Sequence, residues 1–290
     1  MKFTSQIIRV ALGFFTWNVE VYEKISKNFI TFHQRPMFAK DVATEPLKGF
    51  DYSNCAILLQ GPLVKKYDFT LETVRLYKKF FPKALIIIST WNDDPAYAAR
   101  IRREAELIQS NKPAFNGPCN INLQIASTSA GIVLAYEKKV TYILKTRTDQ
   151  RMYNPLMLAS LIDLSNMFPV ETTDQKKRLI ELSCGNMRDY YRLADMFLFG
   201  EISDMFKYWS AEQIIHGSAD EKNFRAAETY LFQKYLTKIG YDPILTEHLS
   251  PESYGTHHLE CTFRRRNDGC RGEHIRIAEK NTREAGDDRL

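Results

Sequence analysis

Val140-Thr-Tyr-Ile-Leu-Lys-Thr-Arg-Thr-Asp-Gln150 is the stretch on which the reading of this chain turns. Val140, Tyr142, Ile143 and Leu144 fill both faces of an extended segment, which predicts a strand in a sheet covered by helices on each side. The chemistry then changes. Lys145, Arg147 and Asp149 share one parity, so an extended chain delivers all three to one side of the strand's exit. Two cations and a carboxylate there suit an anionic, metal-bound ligand, and in open α/β sheets ligands bind at the carboxyl ends of the strands. A salt-bridged strand end is the plain alternative.

Upstream, Cys55 to Leu59 reads as a first buried strand that ends in the turn Gln60-Gly61-Pro62, where a glycine lets backbone approach a ligand closely. Any tight strand-to-helix turn would use the same residues. Leu71, Val74, Tyr77 and Phe81 mark a helix closed by Pro82. Ala84 to Ser89 is the next strand, and it delivers Thr90-Trp91-Asn92-Asp93-Asp94. The unit is β-α-β, so the strands should be parallel with a right-handed crossover. Trp91 offers a stacking face. Of Asp93 and Asp94, one is expected to cap a helix over Pro95–Gln109 and the other to meet a base or ribose. After a loop over Asn111–Asn120, Ile121 to Ala126 is a third strand candidate, and Ser127 or Thr128 caps a helix over Ala130–Lys138. Alternation of this kind predicts a doubly wound or related α/β sheet.

Downstream the pattern loosens. Expected elements are a helix over Leu156–Met167, strands over Arg178–Ser183 and Leu193–Gly200, and helices over Ser203–Trp209 and Ala227–Ile239. Glu228 shares a face with Leu231, Phe232 and Tyr235, and a carboxylate on an apolar stripe is costly unless partnered, which makes it a site candidate. An acidic residue favoured in a helix's first turn is the competing reading. His248, His257 and His258 are ordinary surface histidines unless a site recruits them.

At the other end, Lys2 to Trp17 has helical amphipathic spacing, with Phe3, Ile7, Ile8, Ala11 and Phe15 on one face. Arg9 interrupts the apolar run, which is too short to span a bilayer. The helix could dock on the protein's own core or lie in a membrane interface. A basic start before an apolar stretch also suits a signal peptide, but no small-residue cleavage site follows. The division expected is 1–50 for this helix and a connecting segment, 51–154 for a ligand-binding half, 155–263 for a second half of the same domain, and 264–290 for a basic, disordered tail.

The chain has 290 residues and a formal charge of +5, with Arg264, Arg265 and Arg266 clustered. Such clustering favours phosphates, yet no motif for nucleic-acid binding accompanies it. Five widely spaced cysteines without a CxxC pair argue against a disulfide framework or structural zinc, and for a reducing compartment such as the cytoplasm.

Leu58-Leu59-Gln60-Gly61-Pro62, Ile88-Ser89-Thr90-Trp91, Asn120 to Thr128, and above all Lys145-Thr-Arg-Thr-Asp-Gln-Arg151 resemble the WavE family, associated with lipopolysaccharide synthesis. The resemblance implies a GT-A-like, Rossmann-type sheet with helices on both faces, and a hexosyltransferase-type glycosyltransferase that uses a nucleotide sugar. It implies nucleotide contacts from Gln60, Gly61, Pro62, Trp91, Asp93, Lys145 and Arg147. It further implies Mn²⁺ or Mg²⁺ held by Asp149, with His257 as a further ligand, and Glu228 or Asp195 as the group that handles a glycan or glycolipid acceptor. The chain departs from the Asp-x-Asp pattern of GT-A enzymes, because residue 147 is arginine. Three rivals remain: a nucleotidyltransferase, a metal-independent transferase using a nucleoside-monophosphate sugar, and a non-catalytic membrane-peripheral scaffold.

Overall fold

The computed structural model describes residues 2–31, 33, 35–170, 174–182, 193–194, 196–243 and 263–265. The chain divides into two compact units, Met1–Met37 and Phe38–Leu290. The first consists largely of α1 (Lys2–Ser26), which runs nine residues beyond the helix expected from the sequence.

The second unit is built on a six-stranded sheet of order β3-β2-β1-β4-β6-β5. Its strands are β1 (Cys55–Gln60), β2 (Leu85–Trp91), β3 (Glu106–Ser110), β4 (Tyr142–Arg147), β5 (Ile180–Glu181) and β6 (Leu198–Glu201). β1 pairs in parallel with both β2 and β4, and β3 adds in parallel to β2. β6 is antiparallel to β4, and β5 is antiparallel to β6. Between β1 and β4 the winding reverses direction, which opens a crevice beyond their carboxyl ends.

Strand parity sorts the side chains into two cores. Ile57, Leu59, Ile86, Ile88 and Leu144 face one layer with α2 (Phe69–Phe80), α3 (Pro95–Arg102) and α5 (Met157–Met167). Ala56, Leu58, Ile87 and Ile143 face the other with α4 (Ile121–Glu137), α6 (Ile202–Trp209) and α8 (Ala227–Lys238). A strand buried on both faces takes a near-continuous apolar run, and Cys55 to Leu59 of β1 are all buried. The α/β class with helices on both faces is therefore the observed one. The short helix α7 (Ala219–Lys222) precedes α8, and β7 (Tyr241–Pro243) pairs antiparallel with β8 (Phe263–Arg265). Arg264 and Arg265 thus belong to a strand, whereas the sequence suggested that the irregular tail begins there.

The largest correction lies between residues 95 and 137. The helix after Asp94 stops at Arg102, and residues 106–109, taken as its end, belong to the edge strand β3 (Glu106–Ser110). Ile121–Ala126, taken as the third strand, is the first turn and a half of the seventeen-residue α4. A short apolar run looks alike in a buried strand and a buried helix, and Ile121, Ile125 and Ile132 follow the helical spacing. Asn122 anchors the start of α4: its Nδ2 donates to Phe115 O (2.9 Å) and Ile214 O (2.8 Å), and its Oδ1 accepts from Ile214 N (2.7 Å). The strands near 178–183 and 193–200 are shorter than expected, reduced to β5 and β6.

Among the described residues no helix is long and apolar enough to cross a membrane. Cys55 and Cys119 are free thiols.

Candidate functional site

A cavity of about 440 Å³ opens at the crevice between β1 and β4. The turn after β1 supplies Gln60, Gly61 and Pro62; β2 ends in it with Trp91; β4 and its exit supply Lys145, Arg147, Thr148 and Asp149. The approach to α4 and its first turn supply Cys119, Asn120, Leu123 and Gln124.

The two strand ends are laced together. Thr148 N donates to Gln60 O (3.1 Å), Thr148 Oγ1 to Pro62 O (2.6 Å), and Gly61 N to Ser89 O (3.0 Å). Thr70 Oγ1 on α2 donates to Thr148 O (3.1 Å), so the floor is tied to the helix that follows the turn. Gly61 has φ +128°, and a Cβ there would lie 3.1 Å from Thr148 Oγ1. The position is reserved for glycine by backbone conformation and by space alike. Below the floor, Gln60 Nε2 donates to Ser127 Oγ (2.8 Å) and Ser89 Oγ to Ser127 O (2.6 Å), which joins β1 and β2 to α4.

Lys145 is 1 % exposed, with its ammonium 4.9 Å from the centre of the Trp209 ring. A buried cation facing an aromatic ring is stabilised by that contact. Arg147 and Asp149, both about half-exposed, form a bidentate pair: Nε donates to Oδ1 (2.8 Å) and the terminal NH2 to Oδ2 (2.6 Å). The guanidinium holds the Asp149 carboxyl below its ordinary range, against the opposing pull of burial. Asn120 precedes α4 in the left-handed conformation without a side-chain cap, so the positive end of a seventeen-residue helix borders the cavity. The Gln124 side-chain oxygen is buried without a hydrogen-bond partner. The wall is thus two cations, a helix N-terminus and one carboxylate already neutralised. Its chemistry suits an anion.

Six of the seven residues expected to contact a nucleotide line this cavity, together with Asp149. Trp91 does so as a wall residue only 4 % exposed, not as an open stacking platform. Asp93 does not line it: its carboxylate is exposed and pairs with Lys112 (2.8 Å). Asp94 caps α3, accepting from Tyr97 N (3.0 Å), and ion-pairs with Lys65. Glu228 opens α8, half-buried, and is not in the cavity wall. Asp195 and His257 lie outside the described residues. The first turn of α4, Thr148 and Trp209 are the parts that sequence reasoning missed. For the first, Asn116-Gly117-Pro118 before isoleucines at helical spacing was the available signal.

A divalent cation does not fit the described donors. Asp149 is the only carboxylate among the described residues of the wall, and both its oxygens accept guanidinium N–H groups. Among the described residues no three His, Cys, Asp or Glu side chains converge.

An open α/β sheet with a cationic cavity at its switch point is a Rossmann-type architecture. The chain belongs to the WavE lipopolysaccharide synthesis family, whose model matches residues 55–241, well over half its length and all of the cavity wall. Among solved structures it is similar to a crystal structure of 4-diphosphocytidyl-2C-methyl-D-erythritol synthase, at a TM-score of 0.36 and 12% identity, over 62% of this chain and 84% of that one. No curated protein matches the sequence.

Proposed function

We propose that this chain is a glycosyltransferase of the GT-A type, moving a sugar from a nucleotide-sugar donor to a lipopolysaccharide core or another surface glycan. The observation that carries this reading is the cationic cavity at the β1–β4 crevice of a lipopolysaccharide-synthesis family member. Donor phosphates sit against Lys145, Arg147 and the first turn of α4. Gly61 and Pro62 form the floor under the nucleotide, and Trp91 forms its wall. As the bond from the anomeric carbon to the phosphate oxygen breaks, negative charge grows on that oxygen, and preformed cations stabilise it without reorganising. The acceptor hydroxyl bonds to the anomeric carbon and its proton passes to a carboxylate, Asp195 or Glu228. A lipid-linked acceptor puts the reaction at the cytoplasmic face of a membrane.

No step here runs through a metal. Mn²⁺ or Mg²⁺ at Asp149, with His257, would first need the Arg147 pair to open. That pair favours a second reading, a metal-independent transfer from a nucleoside-monophosphate sugar.

A thermal-shift screen of UDP, GDP, CDP and CMP, each with Mn²⁺ and with chelator, tests the scheme on wild type, Arg147→Met and Asp149→Ala. A ligand at a hundred times its dissociation constant adds about 2.7 kcal/mol of stability. Stabilisation by one diphosphate in chelator, lost in Arg147→Met, is the expected result. Stabilisation only with Mn²⁺ and only with Asp149 present would restore the metal. Stabilisation by CMP alone would select the monophosphate donor. No shift with any nucleotide would sink the transferase reading in favour of a scaffold.

A further inference from the structure

Helix α1 separates its side chains by chemistry. At about 100° per residue, its charged residues over residues 6–25, Arg9, Glu20, Glu23 and Lys24, fall within an arc of roughly 100°. The opposite sector spans roughly 220° and holds no charged side chain over residues 6–25. Ile25 lies near its centre, Phe14, Val10 and Trp17 toward one flank, Ile8 and Leu12 toward the other. Each of these six is between 45% and 78% exposed. Asn18 is a polar residue within the sector, and its Nδ2 donates to Phe14 O on the helix itself (2.7 Å). A donor already used lowers the cost of taking that residue out of water.

The width of the sector says what covers it. A two-stranded coiled coil buries a narrow seam and would leave one flank in water. A bilayer interface takes in the centre and both flanks together. Trp17 and Tyr22 have the amphipathic rings favoured at headgroup depth, and Lys24 beside the sector's edge, with Lys27 just past the helix end, can reach lipid phosphates. We propose that α1 lies in the plane of an anionic phospholipid surface, its apolar sector sunk to the acyl boundary. This goes beyond the transfer chemistry proposed above and does not depend on it.

The test uses the full chain with vesicles of phosphatidylcholine and phosphatidylglycerol in a 3:1 ratio, a composition chosen to be about a quarter anionic. Of the three tryptophans, Trp91 and Trp209 are buried and Trp17 is 58% exposed, so Trp17 reports insertion. Wild type should co-sediment with vesicles and its emission should shift to the blue. Phe14→Glu/Ile25→Glu should lose about tenfold or more in partition coefficient, roughly what 1.4 kcal/mol of partitioning is worth. Thr16→Glu, on the charged face, should bind like wild type, and all three should keep one melting temperature for the α/β unit. Wild type left in the supernatant with unshifted emission would overturn the proposal. So would a dimer that Phe14→Glu/Ile25→Glu dissociates without any vesicle binding, since a second copy would then cover the face. Either result leaves nucleotide binding, measured separately, as it stands.

Discussion

Gly131→Ala sets two physical effects against each other, and the structure decides the sign. In an exposed helix interior the change would stabilise by about 1 kcal/mol, because alanine loses less backbone entropy than glycine. Here α4 lies against β1, and a Cβ on residue 131 would stand 2.7 Å from Leu58 Cδ2 and 3.1 Å from its Cγ, with Cδ1 closer still. Leu58 is fully buried, and its strand is flanked by β2 and β4, so it has no free side to turn toward. Overpacking of this kind costs about 1–3 kcal/mol, and its upper part applies where neither helix nor sheet can retreat. The net expectation is a loss of about 1–2 kcal/mol, the overpacking cost less the helix gain. At about 2–4 °C per kcal/mol for a unit of this size, the melting temperature should fall by about 2–8 °C. Leu58→Ala alone should cost about 2–5 kcal/mol through the cavity it leaves. The double variant should be more stable than the sum of the two by over about 0.5 kcal/mol, because the new methyl fills part of that cavity. Urea and thermal unfolding followed by circular dichroism measure all four proteins. A melting temperature that rises in Gly131→Ala would refute the close packing of α4 on β1, and with it the position of the helix start at the cavity.

Two further outcomes test the site directly. Burial pushes the Cys55 thiol up to about 12, whereas Cys119 is exposed at the cavity wall, so iodoacetamide at pH 8 should label Cys119 and spare Cys55 in peptide mass spectra. The bound nucleotide should slow labelling of Cys119, and equal rates with and without it would place the ligand elsewhere. For Asp149, Arg147→Met should raise the carboxyl titration seen by carbon-13 NMR back toward its ordinary value. Since the folded pKa is depressed, the pair's contribution is fully present above the unfolded value of about 3.9 and is lost as pH falls through the folded one. The pair is half-exposed, so neutral-pH stability should change by no more than about 1 kcal/mol. An unmoved titration would mean that the two side chains do not pair in solution.

The strands that carry most of the site were legible because each is a short apolar run closed by a change of chemistry. Cys55–Gln60 ends in Gly-Pro, Leu85–Trp91 in Asn-Asp-Asp, and Tyr142–Arg147 in the Thr-Asp that follows. Burial on both faces forces such runs, and local sequence suffices to see them. The region from 103 to 126 was not legible. β3 is an edge strand with one neighbour, so Glu106 and Gln109 are permitted where a central strand would exclude them, and its pattern resembles the tail of a helix.

Residue type and spacing by themselves therefore determined the α/β class and the arrival of Lys145, Arg147 and Asp149 at one strand exit, and the motifs' resemblance pointed to the family. Tertiary structure alone decided what those groups meet there. It set Lys145 against Trp209, sixty-four positions away, whereas the Arg147–Asp149 pair, two positions apart, is the salt-bridged strand end that the sequence itself allowed. It brought the start of α4 to the wall, and it left Asp93 to Lys112 and Glu228 to α8. The reason is one of range. Strand and helix patterns are set by neighbours a few residues apart, whereas the partner of a charge is fixed by packing between elements distant along the chain.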